Sequence, residues 1–135
     1  MLMDQTREVF DSVARYFALL ADPTRLRIMH TICQAEKTVG EIVEATDATQ
    51  TNVSRHLGLL HRAGVLGRRK AGSQVYYRVT DSAFTEICRV VCVRVAAELD
   101  GDRTLKRSFD DLIADLREPG PAAAGRSLVG ARHDE

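Results

Sequence analysis

Apolar residues recur along most of this chain at spacings of three and four, and in one central stretch at a spacing of two. Val9, Val13, Phe17 and Leu20 are separated by four, four and three residues, which places them on one face of an amphipathic helix over about residues 6–21. Asp22-Pro23 ends that helix and begins another. Aspartate is a good N-cap, and proline at the first helical position gives up an N–H that would be unpaired anyway. Leu26, Met29 and Cys33 then form the expected inward stripe. Thr38 and Glu41 have capping-box spacing for a short third helix to about Ala45. Thr49 is the expected cap of a fourth helix, whose buried stripe is Val53, Leu57 and Leu60 and which Gly64 closes. The period then falls to two: VLGRRK and QVYYRV flank KAGS, with Val75, Tyr77 and Val79 on one face and Gln74, Tyr76 and Arg78 on the other, the pattern of a β-hairpin. A fifth helix is expected from Asp81 or Ser82 to about Asp100. A sixth, carrying Leu105, Phe109, Leu112 and Leu116, is expected to end near Arg117.

The helix–turn–helix followed by a hairpin predicts a mainly α fold with a small β-hairpin wing, a winged helix-turn-helix, in one domain over residues 1–117. The last eighteen residues, 118–135, contain two prolines and three glycines and are read as a disordered tail. The fifth helix is apolar nearly all round, with Ile87, Val90, Val91, Val93 and Val95. Such a helix needs two burial partners, its own core and a second subunit.

Charge sharpens this picture. The chain is neutral overall, yet Ala48–Thr80 holds no Asp or Glu and six basic residues, Arg55, Arg62, Arg68, Arg69, Lys70 and Arg78. The remainder therefore carries six excess negative charges. An acid-free segment that coincides with a helix, a turn, a helix and a basic hairpin points to a polyanion. In a helix-turn-helix the second helix enters the major groove. The expected DNA-binding residues are Gln50, Thr51, Asn52, Ser54, Arg55 and His56 on that helix, and Arg68, Arg69 and Lys70 on the wing. Gln50 and Asn52 offer the paired donor and acceptor that match adenine, Arg55 can reach guanine, and Thr51 and Ser54 suit phosphate or a thymine methyl. The wing cations would sit over phosphates or the minor groove. The partner is then a double-stranded DNA operator.

The segments LLADPTRLRIMHTI, TVGEIVEATDATQTNVSRHLGLLHRAGVL and RRKAGSQVYYRV resemble the ArsR/SmtB family of bacterial winged-helix repressors, in order, over roughly residues 10–100. The resemblance implies a homodimer built from the first and fifth helices that binds an inverted repeat and leaves it when an inducer binds. Members that sense metals carry a Cys-x-Cys in the helix before the recognition helix, or Asp, His and Glu on a C-terminal helix. Here the first equivalent, VGEIVEAT, contains no cysteine, and the last two helices contain no histidine.

Three cysteines are too few and too odd in number for a secreted disulfide framework. With no signal-like N-terminus and no run of 18 apolar residues, they suggest a cytoplasmic protein without a membrane span. Cys88 and Cys92, in FTEICRVVCVR, are four apart and so share one helix face, where two thiolates can converge on one ion. With Cys33 added they form the candidate metal site for an As(III)- or Sb(III)-like inducer, or for mercury or cadmium. DNA binding itself asks for no cofactor. The same thiols can also be small core hydrophobes. Paired as Cys33 with Cys88 or Cys92, they form a reactive-sulfur or redox sensor if their α-carbons come within about 7 Å. The sulfur-sensing members place their thiols at positions corresponding to His30 and to a site near Ala96. A winged-helix protein-interaction module is the reading from another class. No Cys-x-x-Cys and no glycine-rich phosphate loop suggests an enzyme.

Overall fold

Six helices and a three-stranded antiparallel sheet make up the computed structural model, which describes residues 2–99 and 101–117. They run α1 (Leu2–Leu20), α2 (Pro23–Cys33), β1 (Lys37–Thr38), α3 (Val39–Thr46), α4 (Gln50–Arg62), β2 (Leu66–Ala71), β3 (Gln74–Val79), α5 (Ala83–Ala96) and α6 (Arg103–Arg117). The expected tail lies outside the described residues.

The local signals act as their chemistry requires. Asp22 accepts from the Arg25 N–H at 2.9 Å, and Thr38 and Glu41 close a reciprocal capping box at the start of α3. Thr49 accepts from the Asn52 N–H at 3.1 Å. Gly64 follows α4 at φ +85°, where a Cβ would be strained. Asp81, rather than Ser82, supplies the side-chain cap at α5, with its Oδ1 3.0 Å from the Ala83 N–H.

The core forms where α2, α3, α4 and the base of the hairpin meet. Ile28, Met29, Ile32, Ile42, Val53, Leu57 and Leu60 are completely buried there, joined by Val79 and Phe84. On α2 the inward stripe is therefore Ile28, Met29, Ile32 and Cys33. Leu26, expected inside, is 37% exposed, because α2 buries one face in the head of the fold and turns Leu26 towards a cleft shared with α1 and α5. The fifth helix also stops short of Asp100: Ala97 is its C-cap and Gly101, at φ +89°, precedes α6.

The sheet order is β1-β3-β2. The sequence pattern showed only the hairpin, since two residues carry no alternation; Lys37 pairs with Tyr77 and Thr38 with Tyr76. Along β3 burial does not alternate as expected but increases from the exposed Gln74 at the turn to the buried Arg78 and Val79 at the base. The Arg78 guanidinium lies across Gly67, where an added Cβ would stand 3.0 Å from Arg78 Cζ and 2.9 Å from Thr80 Cγ2. Replacing Gly67 with alanine is expected to cost about 1–3 kcal/mol by overpacking, read as a lower urea midpoint. An unchanged midpoint would show that the strand base yields freely.

Candidate DNA interface and thiol pocket

α4 presents two chemically distinct faces. Val53, Leu57 and Leu60 are buried, whereas Gln50, Thr51, Asn52, Ser54 and Arg55 are all exposed. Arg55 donates from Nη2 to Asn52 Oδ1 at 2.8 Å, so the guanidinium and the amide expected to read bases are already aligned one turn apart. His56 does not belong with them. It is only 5% exposed, with Nε2 3.8 Å from Asp22 Oδ2 and Nδ1 3.3 Å from Arg25 Nη1. Burial, with the charges of Arg55 and Arg25 added and Asp22 opposing, holds its pKa below the usual imidazole range. A neutral ring protonated at Nε2 satisfies both contacts. The expectation of a DNA contact from His56 is thus corrected: it lies about 120° around the helix from Gln50, on the core side, and a period-3.6 stripe drawn through Val53, Leu57 and Leu60 includes it.

Arg25 ties this region together and was not singled out from sequence. Besides meeting His56, it donates from Nε to Leu19 O at 2.8 Å and from Nη2 to Ala18 O at 3.0 Å. Its side chain thus joins the last turn of α1 to the recognition helix, while its backbone N–H holds the Asp22 cap of α2. Its contacts span residues 18–56, a separation that sequence periodicity does not record.

On the wing, Arg68, Arg69 and Lys70 are exposed, but alternation along β2 sends Arg69 to the opposite face from the other two. Its guanidinium makes a bidentate pair with Glu36, with Nε at 2.9 and 3.1 Å from the two carboxylate oxygens. It also stacks 4.7 Å from the ring centroid of Tyr76, its cross-strand neighbour. The hydrogen bond from Arg69 holds the Glu36 carboxyl below its ordinary range. Arg69 therefore fixes the wing against the segment before β1, and Arg68 and Lys70 are the wing cations on the other face.

The cysteines divide. Cys88 and Cys92 line one wall of a cavity of about 380 Å³ between α1, α2, α5 and α6. Cys33 is 1% exposed in the core, its thiol donating to His30 O at 3.3 Å, and it is not part of that wall. Among the described residues no three His, Cys, Asp or Glu side chains gather as a metal-binding group. The expected three-sulfur shell within one chain is corrected accordingly: Cys33 shares a face of α2 with Leu26 and His30 but is sealed in the core behind the cavity wall. α6 closes over the cavity with Leu112 and Leu116. It is clasped to α2 where Gln34 Nε2 donates to Asp115 O at 2.9 Å and His30 Nε2 lies 3.5 Å from Asp115 Oδ2.

Burial raises the Cys33 thiol to about 11. It raises Cys88 to about 12, with the nearby Cys92 and Cys33 sulfurs adding to the shift, and moves Cys92 upward as well. An unfolded thiol ionises near pH 8.5, so the folded state favours the protonated form. That contribution to stability is complete below about pH 8.5 and is lost as pH rises towards 11–12. Urea stability should decline from pH 8 to 10, less steeply in Cys33→Ala; identical slopes would contradict the assignment to this thiol.

Residues 22–66 match the family described as bacterial regulatory protein, arsR family. A Streptomyces lividans protein named "Probable mercury resistance operon repressor" is 37% identical over 93 residues, which cover 67% of this chain and 74% of that one. The chain belongs to the arsR family. Two solved structures agree with this ArsR-family fold. The crystal structure of Rv0081 from M. tuberculosis superposes with a TM-score of 0.61 at 30% identity, covering 67% of this chain and 94% of that one. The solution structure of the homodimeric winged helix-turn-helix DNA-binding domain Mb0332 from Mycobacterium bovis gives 0.60 at 30% identity, covering 68% and 85%. The protein is thus a DNA-binding transcriptional repressor of the ArsR family, a family of regulators rather than enzymes. Among the described residues no helix is long and apolar enough to cross a membrane.

Proposed function

We propose that this ArsR-family repressor is a cytoplasmic homodimer that holds an inverted-repeat operator with two copies of α4 and the wing, and releases it when Cys88 and Cys92 capture a soft metal or metalloid. The observation that carries the reading is the placement of both thiols, one turn apart, on the same cavity wall. Soft ions select thiolate ligands, and the side chains at i and i+4 have Cβ atoms only about 5–6 Å apart. The name of the Streptomyces lividans relative, a mercury operon repressor, points the same way.

The second subunit is argued from exposed apolar surface. Val9, Phe10, Val13 and Phe17 on α1 and Val90, Val91, Val93 and Val95 on α5 are each at least 42% exposed, and a soluble chain is stabilised by covering a patch of that kind. α5 thus carries the thiols on one side and dimer-facing valines on adjoining positions. An ion drawing Cys88 and Cys92 together acts on the helix that sets the separation of the two reading heads.

Titrating operator-bound dimer with mercuric ion, arsenite and antimonite tests the sensing step. Release is expected for the native protein. Cys88→Ser with Cys92→Ser should keep operator affinity and lose release, whereas Cys33→Ala should keep both. Normal release from the double serine variant would overturn the proposal.

A further inference from the structure

α1 is held to its own chain at its C-terminal end. Every residue from Leu2 to Arg15 is exposed, whereas Tyr16 and Leu19 are half-buried and Leu20 is buried. Two grips fasten this end. Arg25, on α2, donates to the carbonyls of Ala18 and Leu19 at 3.0 and 2.8 Å. Tyr16 Oη donates to Oδ2 of Asp81, in the link between β3 and α5.

Asp81 is a firm anchor for the second grip. It is buried, and its other oxygen accepts the Ala83 N–H at the start of α5. The N–H of the preceding Thr80 donates to Val65 O at 3.1 Å, which fastens the link to the residue that leads into β2. Burial, followed by the hydrogen bond to Asp81, raises the Tyr16 phenol above its ordinary range, so Oη remains a donor at neutral pH.

We infer that the Tyr16–Asp81 hydrogen bond sets the angle between α1 and the DNA-reading head, which makes Tyr16 a positioning residue that selects the half-site spacing the dimer accepts. The inference rests on the reading above of a homodimer on an inverted repeat, and deepens it to a residue that decides which repeats are bound.

Geometry and strength favour this role. A helix held at one point swings about it, and a second grip on another residue fixes its angle. The exposed Val9, Phe10 and Val13, which face the second subunit, lie beyond both grips. They sit on residues 2–15 of α1, which project about 21 Å at about 1.5 Å per residue. A swing of roughly 10° at the grips moves the far end of such an arm by about 3.6 Å, close to the rise of one base pair at about 3.4 Å. A joint resists a misplaced half-site only up to its own strength. A hydrogen bond to a charged group shifts an equilibrium by roughly ten- to a hundredfold, enough to reject a spacer of the wrong length. Arg25 also meets His56 of α4, so removing its grip would disturb the recognition helix. The Tyr16 hydroxyl can be removed without touching α4.

Inverted repeats selected by the native dimer from random double-stranded DNA provide the probe, remade with the spacer one base pair shorter and one longer. The native dimer should bind the altered spacers about a hundredfold more weakly, because each base pair also turns the half-site by about 35°. In Tyr16→Phe, which keeps the ring and loses only the hydroxyl, this ratio should shrink by about tenfold, with the half-site sequence unchanged. Fluorescence anisotropy gives the ratio, and sedimentation shows whether the dimer is kept. If Tyr16→Phe fails to melt cooperatively, Asp81→Asn replaces it: the amide keeps an oxygen for the Ala83 N–H, and the same shrinkage is expected in smaller measure.

An unchanged spacing ratio in the variant that folds would overturn this inference alone. An equal loss of affinity at every spacing would also overturn it, since that is the mark of a packing contact. Loss of the dimer would do the same, by showing that the bond holds the subunits together. Selection of single, unrepeated sites by the native dimer would remove the inverted-repeat reading and the inference with it.

Discussion

Operator affinity of the double variant Arg55→Glu, Arg68→Glu is expected to fall by roughly a thousandfold or more at fixed salt, with folding unchanged. An arginine reading a base edge contributes about 1–3 kcal/mol and a phosphate contact adds a salt-dependent share. Reversing each charge turns attraction into repulsion at a polyanion. Two such changes amount to about 4 kcal/mol or more, which is the thousandfold loss. Folding should not respond, because both side chains are exposed and the bond lost inside the chain is the single surface contact from Arg55 to Asn52. Anisotropy with labelled operator checks the affinity, and thermal melting and sedimentation check the folding. Intact operator binding by the reversed protein would place the DNA interface on another face.

Leu57→Ala should produce the largest loss of stability, about 3–4 kcal/mol within the usual range for a buried leucine truncated to alanine. Leu57 is completely buried among residues of α2, α3 and the hairpin base, so the void it leaves has rigid walls. For a domain whose net stability is on the order of 5–15 kcal/mol, this is a large fraction. Leu59, two positions away on the same helix, is 37% exposed; its truncation should cost less than about 1 kcal/mol. Urea melts of the two variants with unchanged slope measure the difference. Equal losses would mean that α4 is not seated as described.

The elements most legible in the sequence were those fixed by local chemistry. The caps at Asp22, Thr38 and Thr49 and the positive φ of Gly64 depend on residues within four positions of one another, and periodicity exposed the rest of the frame. The β1 pairing escaped because two residues cannot display alternation. The end of α5 was overextended because Ala97, Glu98 and Leu99 are good helix formers, and no stop signal precedes Gly101. Within the site, the exposed side of α4 and the shared wall of Cys88 and Cys92 followed from helical spacing. The inward turn of His56, the Arg25 node and the capture of Arg69 by Glu36 are contacts between distant segments. Each residue has the composition of an exposed DNA contact or an ordinary surface cation. Only the fold reveals that a carboxylate or carbonyl already stands beside it.

The strand formed by Lys37 and Thr38 leads directly into α3 and is hydrogen-bonded to β3 of the wing. The wing is consequently not an independent arm that can search for its own phosphates after the recognition helix has docked. Wing and helix–turn–helix approach DNA as one stamp, and a rotation of either carries the other. Exchanging the exposed side chains of α4 should therefore give new base preferences on an unchanged backbone footprint, so this repressor could be retargeted by editing one helix face and leaving the rest of the surface alone.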